Sequence, residues 1–400
     1  MMKFVLKNVK NGYRAGVISE LGNQPDKTVD TPFCMLYTRG GSAPHLSRDV
    51  LNRLKNLPLV AHMPLNILAD HHEAVRKFQH GIGKFAAMED RVVYCSLHDP
   101  STLVKSGYND KHGVSVWGKG GKLKLDTELF MKIQESFQPD IYQALSDGDT
   151  DINSTRKRCI KVVDRTLSFL DSILDIHNKS ERLKKTAIFG SIVGGYNEAE
   201  RVRCVKETVS RPVQGFVIEG FFNPGPDTEH FQINECVNLL QKIIEILPVD
   251  KPRLMQSIWP PDAVIQAYEL GIDIFDSSYP YVVTERSSAL VFTYIIPTEE
   301  TEGEELPETY EINLTDKKYF ADFSPLLKDC KCYTCENYTR SYVNHLLNTK
   351  ELLASILLMI HNFHHYFEFF ESLRRSISDG KLEDLKKLIN KPKKLPSVER

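Results

Sequence analysis

The sequence predicts an α/β protein, a closed (β/α)8 barrel with a smaller cysteine-bearing subdomain inserted or appended near its C-terminus. Three observations carry that expectation. From about residue 56, short and wholly apolar runs alternate with longer stretches of helical periodicity. Strands apolar on both faces belong to a parallel sheet covered by helices. About eight such units fit into roughly 300 residues, which suits a closed barrel better than an open sheet. A doubly wound sheet is the alternative, and the absence of a Gly-x-Gly-x-x-Gly turn after the first strand weakens its dinucleotide-binding version.

Taken in order, Leu59-Val60-Ala61 precedes a helix-like stretch at 66–79, and Val92-Val93-Tyr94-Cys95 is the next short apolar run. Residues 126–138 and 156–176 have helical spacing. Ala187 to Gly190 precedes a helix at 197–209, Gly215 to Ile218 one at 228–247, and Leu254 to Ile258 one at 261–270; Ile272 to Phe275 follows at once. The pattern stops near Ile296, and the acidic, aperiodic stretch Pro297 to Glu308 reads as an exposed loop. A long helix is expected from about Lys350, with Asn348 as its N-cap and Glu351 completing a capping box. The expected divisions are a barrel over 1–315, a subdomain with the long helix over 316–378, and a basic tail over 379–400 that carries Lys381, Lys386, Lys387, Lys391, Lys393 and Lys394.

Composition bounds the function. With 41% hydrophobic and 26% charged residues, the 400-residue chain can bury a large core. Its net charge of −2 creates no global field for nucleic acid, so any RNA contact must use a local basic patch. No apolar run is long enough to span a bilayer, and the first six residues are too soon followed by lysines to read as a secretory signal. Of eight cysteines, Cys34, Cys95, Cys159, Cys204 and Cys236 are scattered singly, as reduced core thiols of a cytoplasmic protein are.

The other three crowd into Cys330-Lys331-Cys332-Tyr333-Thr334-Cys335. Three thiolates this close can share one centre, and zinc takes a tetrahedral Cys3His set readily. The bland alternative is a surface loop without metal. His345, His361, His364 and His365 are candidates for the fourth ligand; His361 ends the apolar run Ile356 to Ile360, where helix packing would fix its ring. A closed four-ligand shell leaves no position for water, so the expectation is one structural zinc ion per chain.

Cys330-x-Cys332-x-x-Cys335, followed after twenty-five residues by His361, resembles the zinc signature of the tRNA-guanine transglycosylases, the queuine tRNA-ribosyltransferase family. Tyr338 to Leu346 is similar to that family's Ser-Arg-Ala-Tyr-Leu-x-His-Leu, and Ile360 to His364 to its His-Asn-Leu-His. Lys251-Pro252-Arg253-Leu254-Met255 and Gly271-Ile272-Asp273-Ile274-Phe275-Asp276 resemble its Lys-Pro-Arg-Tyr-Leu-Met and Gly-Val-Asp-Met-Phe-Asp. The similarity runs from about residue 15 to 375. It implies His361 as the fourth ligand, with His364 and His365 behind it or in packing. It also implies a reaction in which guanine at the tRNA wobble position is exchanged for queuine, one carboxylate attacking the ribose and a second acid handling the base proton, much as two carboxylates divide the work in retaining glycosidases.

Asp276 matches the nucleophile, although Asp before Ser277-Ser278 is also an ordinary turn residue. The family's Asp-Ser-Gly-Gly-Phe-Gln has no counterpart, because Cys95-Ser96-Leu97-His98-Asp99-Pro100-Ser101 stands in its place. Ser146 replaces a base-reading carboxylate, Val193 replaces an amide, and Phe216 to Glu219 put bulk where the ring would slide. Each lost buried polar contact costs about 1–3 kcal/mol and a lost acid about 10²–10⁴-fold in rate, so little activity should remain. The pattern resembles the family's non-catalytic eukaryotic subunit. That implies a heterodimer with a catalytic paralogue around residues 325–375, tRNA as the shared substrate, and a cytoplasmic protein with peripheral association to the mitochondrial outer membrane. Candidate tRNA contacts are Arg340, Arg374, Arg375 and the lysines of the tail. The alternatives are an active transglycosylase that uses Asp276 with Asp99 or Glu219, and a zinc-stabilised RNA-binding scaffold.

Overall fold

The computed structural model describes residues 2–7, 13–297 and 307–390. Eight parallel strands close into a barrel in chain order: β1 (Phe33–Tyr37), β2 (Val60–Pro64), β3 (Val92–Ser96), β4 (Ile141–Gln143), β5 (Ala187–Ile192), β6 (Gly215–Ile218), β7 (Arg253–Leu254) and β8 (Ile274–Asp276). The ring closes where β8 pairs with β1, Ile274 opposite Phe33 and Asp276 opposite Met35.

Every residue of β1, β2, β3 and β5 is buried, which explains why apolar residues dominate them. Alternate side chains point to opposite faces. Phe33 and Met35, Val92 and Tyr94, and Ala187 and Phe189 therefore meet inside the ring with Val60, Ile141, Val217, Leu254 and Ile274. Cys34, Leu36, Ala61, Met63 and Val93 pack outward with the helices. Met2, Phe4, Ile18, Leu21 and Val29 join the inner cluster from a three-stranded antiparallel sheet (Lys3–Lys7, Ala15–Ser19, Val29–Asp30). That sheet stoppers the end where the strands begin, and leaves the end where they finish for polar groups.

The outer layer includes α1 (Thr127–Phe137), α2 (Arg156–His177), α3 (Glu198–Val209), α4 (Val237–Ile246), α5 (Pro261–Glu269) and α6 (Ser278–Glu285). Asp126, Thr155 and Asn197 start the first three by accepting the N–H three residues on. Four more helices follow: α7 (Tyr333–Asn337), α8 (Arg340–Asn348), the long α9 (Leu352–Asp379) and α10 (Leu382–Ile389).

Several expectations need correction. The helix placed at 228–247 is two 3₁₀ turns, Pro226–His230 and Ile233–Glu235, followed by α4. The strand expected from Leu254 to Ile258 is only β7, and its continuation turns aside to carry Gln256 and Ser257 into the barrel mouth. Counting units from residue 56 overlooked β1, and β4 is too short at three residues to register as a run. Asn348 does not cap the long helix. It is the last residue of α8 and donates to Asn344 Oδ1 at 3.0 Å, while Glu351 holds the N-cap position without a side-chain bond. The expected acidic loop lies mostly outside the described residues. In the lysine-rich stretch from 379, Leu382, Leu385, Leu388 and Ile389 are buried, so α10 is a docked helix rather than a tail; Lys391, Lys393 and Lys394 fall outside the described residues.

The stopper is tied to the ring by charge. Arg14 Nε donates to Asp273 Oδ1 at 2.8 Å and its Nη2 to Lys251 O at 2.7 Å, while Asp273 Oδ2 accepts from Arg253 N at 2.9 Å. Burial raises the Asp273 carboxyl to about 6 against the opposing charge of Arg14. Removing one partner of a buried pair leaves an uncompensated charge, so Arg14→Met should lower the unfolding free energy by about 3–5 kcal/mol, measured by urea denaturation at pH 7.

Candidate functional site

Two groups of side chains stand out, one at the subdomain and one at the barrel mouth. At the first, Cys332 is the N-cap of α7, its sulfur accepting from Cys335 N at 3.3 Å, so the turn of the helix sets Cys332 and Cys335 side by side. His361 comes from the middle of α9. Its Nδ1 lies 3.8, 3.5 and 3.3 Å from the sulfurs of Cys330, Cys332 and Cys335. All four ligand atoms fall within 4.8 Å of one another, so the group could hold a metal ion. His361 Nε2 is 2.7 Å from Leu290 O, which fixes the proton there and turns the Nδ1 lone pair toward the sulfurs. Burial alone would pull the His361 imidazolium down, yet hydrogen bonds and charge from Cys330 and Cys335 outweigh it and raise the group to about 10. Three sulfurs and one imidazole nitrogen facing a single point are a donor set that suits a soft cation.

The other histidine candidates are placed elsewhere. His345 is exposed on α8. His365 is buried, its Nε2 2.9 Å from Phe292 O and its ring edge-on to Phe292. His364 borders a surface groove shared with Cys330, Lys55, Lys331 and Arg375.

At the barrel mouth, Asp276 ends β8 and is wholly buried. Its Oδ1 accepts from Ser278 N at 3.0 Å and from Ser278 Oγ, and its Oδ2 from Ser257 N at 3.2 Å. One oxygen is thus engaged in the turn that begins α6 and the other by the chain that leaves β7. Burial pushes its carboxyl up to about 7, with Asp99 adding to the rise and the serine contacts opposing it.

Asp99 is no free acid. Its carboxylate accepts from Tyr37 Oη at 2.7 Å, from Ser101 N and Oγ at 2.9 Å each, and from Thr102 Oγ1 at 2.9 Å. Glu219 does face the cleft. Burial raises its carboxyl, which Gln143 Nε2 binds at 3.0 Å and Ser146 Oγ binds from the other oxygen. The position expected to read the base is therefore joined to the chain's own glutamate. Asp147, next to it, is buried and held by Arg158 at 2.7 and 3.0 Å and by Arg165 at 2.8 Å. Val193 packs outward with Val162, Val163, Leu167 and Cys204. The cleft between Glu219, Gln143, Gln256, Ser257 and His98 has a volume of about 50 Å³. That is room for a few waters, well below the roughly 300 Å³ at which small-molecule pockets begin.

A family model described as queuine tRNA-ribosyltransferase matches residues 10–393. The chain belongs to the queuine tRNA-ribosyltransferase family. It is 42% identical to queuine tRNA-ribosyltransferase accessory subunit 2 of Xenopus tropicalis, over 98% of this chain and 99% of the relative. The figures are the same for the Homo sapiens protein of that name, and 40% over 94% and 97% for that of Ixodes scapularis. Within this family fold, two of the three expected RNA-binding arginines are committed internally. Arg340 donates to Leu326 O at 3.0 Å and to Asp322 at 3.1 Å, bracing the loop before the cysteines. Arg374 donates to Pro32 O at 2.7 Å and to Glu371 at 2.5 Å. Arg375 is exposed. Among the described residues no helix is long and apolar enough to cross a membrane.

The Asp276 carboxyl has a sign that can be checked. Its folded value, about 7, lies above the unfolded one near 3.9, so the folded chain holds a proton the unfolded chain has lost. Its contribution is fully present below about pH 4 and is lost as pH rises to about 7. The stability of wild type relative to Asp276→Ala should therefore fall between pH 5 and pH 8 in paired denaturant melts.

Proposed function

We propose that this chain is the non-catalytic accessory subunit of a heterodimeric queuine tRNA-ribosyltransferase, supporting exchange of guanine for queuine at the tRNA wobble position. The observation that carries the reading is the barrel mouth. Displacement at the ribose needs a carboxylate that can reach the anomeric carbon, an acid for the base, and space for the ring. Asp276 is sealed beneath the surface with both oxygens bonded, Asp99 is bound into its own turn, and Glu219 closes on Ser146 and Gln143. The relatives' shared description as accessory subunits supports the same reading.

Zinc would be held by the thiolates of Cys330, Cys332 and Cys335 and by His361 Nδ1. It would supply cohesion rather than chemistry, because four protein ligands fill its tetrahedron. The catalytic partner would dock beside it. Phe320 and Phe323 are each 76% exposed there, and Tyr342, itself partly exposed, stacks on Tyr338 at 5.6 Å. Such an aromatic surface suits the core of a protein interface.

Base exchange with labelled guanine and tRNA tests the reading. The chain alone should be inactive, and a mixture with a catalytic paralogue should be active as a one-to-one complex. Asp276→Ala should leave the mixture within a few-fold of wild type, whereas the same change at the partner's nucleophile should abolish turnover. Loss of turnover from Asp276→Ala in an intact dimer would sink the accessory reading and favour an active second site.

Metal content gives a separate check. Elemental analysis of the native chain should find one zinc per chain. Cys332→Ser should lose it, with a lower melting temperature and lower yield, since structural zinc contributes folding free energy directly.

A further inference from the structure

With Arg340 and Arg374 committed, a strongly charged surface is found instead at the barrel mouth. After β3 the chain runs through an exposed loop into a two-stranded hairpin, Val114–Gly118 paired antiparallel with Gly121–Leu125. Residues 105–124 hold five lysines (Lys105, Lys111, Lys119, Lys122, Lys124) against one acid, Asp110, a net +4 in a chain whose total is −2. All five are exposed. Lys124 pairs with Asp110 at 2.5 Å, while no ion pair to a described residue engages Lys105, Lys111, Lys119 or Lys122. Asp70 stands behind the turn, close to Gly120, where an added Cβ would come within 2.9 Å of its carboxylate.

An aromatic ring lies against one of these cations. Tyr108 is 49% exposed, Lys122 Nζ lies 5.2 Å from its ring centre, and Trp117 meets it edge-on at 5.2 Å. The base of the hairpin is fixed to the barrel mouth. Asn109 Nδ2 donates to Asp147 at 3.0 Å, Gly107 N to Asp149 at 2.6 Å, and Asn66 Nδ2 to Trp117 O at 3.1 Å. His98, Pro100, Val104 and Asn109 of the same loop line the cleft.

We propose that this hairpin and its leading loop form an RNA-binding strip, in which the four unpaired lysines follow the phosphates of a single-stranded loop and Tyr108 stacks on an unpaired base. Cations alone would serve an acidic protein equally well. A half-exposed ring with a lysine at its face is the arrangement that takes an unstacked base, which is why RNA is the occupant chosen. The inference rests on the accessory-subunit reading for its substrate, the tRNA, and moves the contact from the α9 arginines to the rim of the barrel.

The test uses fluorescence anisotropy on the full chain, alone and assembled with the catalytic paralogue. The probes are a tRNA transcript, its anticodon stem-loop, and a duplex RNA of equal length. Substituting Lys105, Lys111, Lys119 and Lys122 together by Gln should weaken tRNA binding by about tenfold or more and reduce the slope of log affinity against log salt by roughly three units. Melting temperature and kcat at saturating tRNA should stay as in wild type. Tyr108→Leu should weaken the stem-loop and leave the duplex unchanged. Unaltered affinity and salt slope in the quadruple variant would overturn the strip. So would a loss of subunit assembly with RNA affinity intact, which would mark the hairpin as a protein interface. If wild type fails to assemble or to support exchange, the accessory reading falls, and RNA binding by the isolated chain still decides the strip.

Discussion

The polar edge of the long helix α9 is the contact on which the rest of the structure depends. The segment 288–294 leaves the barrel with backbone groups that no barrel strand pairs. Side chains of α9 answer them one after another. Asn362 accepts from Leu290 N at 2.8 Å and donates to Ser288 O at 3.0 Å. His361 meets Leu290 O, His365 meets Phe292 O, and Ser372 donates to Tyr294 O at 2.6 Å. Tyr366 adds a bond to Trp259 O at 2.8 Å, from the chain that leaves β7. A buried carbonyl without a partner costs about 1–3 kcal/mol, so this row of bonds holds the helix in one register against the barrel. The same row presents His361 to the three cysteines, with one ring nitrogen on the barrel and the other on the cluster. Metal site and barrel are thereby one mechanical unit, and the subdomain surface with Phe320 and Phe323 is held at a fixed place relative to the barrel mouth.

The two ends of the barrel follow opposite rules. At the start of the strands, apolar side chains from the N-terminal sheet fill the ring, and the buried charges there include the Arg14–Asp273 pair and Asp140. At their finish, polar side chains converge as they do where barrel enzymes place their chemistry. Here those groups satisfy one another. Gln143, Ser146 and Glu219 form one set, Asp276 with Ser257 and Ser278 a second, and Asp147 with Arg158 and Arg165 a third. Buried polar groups with complete internal bonding stiffen a site and gain little from a ligand. A mouth of this kind keeps the family's barrel shape and leaves these three polar sets bonded to one another.

Much of this was legible in the residues. The apolar runs of β2, β3, β5 and β6 announced themselves because strands buried on both faces have few polar positions. The cysteine spacing pointed to a metal cluster because few other uses bring three thiols into six residues, and the family motifs then selected His361 from four histidines. β1 and β4 escaped because one lies before the periodic region and the other spans three residues. The long helix was expected two residues too early, since Asn348 and Glu351 imitate a capping box, whereas Asn348 ends α8 and Glu351 is itself the N-cap of α9.

The sequence by itself determined the fold class and the cysteine cluster, because each is written in residue type and local spacing. Only the tertiary structure decided which charged groups are free. Arg340 and Arg374 look like surface cations in the sequence, yet Arg340 is bound to Leu326 O and Asp322 and Arg374 reaches Pro32 O, more than three hundred residues away in the chain. The lysines after β3 are spread over about twenty residues, and only the fold sets Lys122 against the ring of Tyr108. Asp276 keeps its family position in the sequence, and only the fold shows it sealed between two serines. Such outcomes depend on which chain segments meet across the barrel, and no local pattern carries that information.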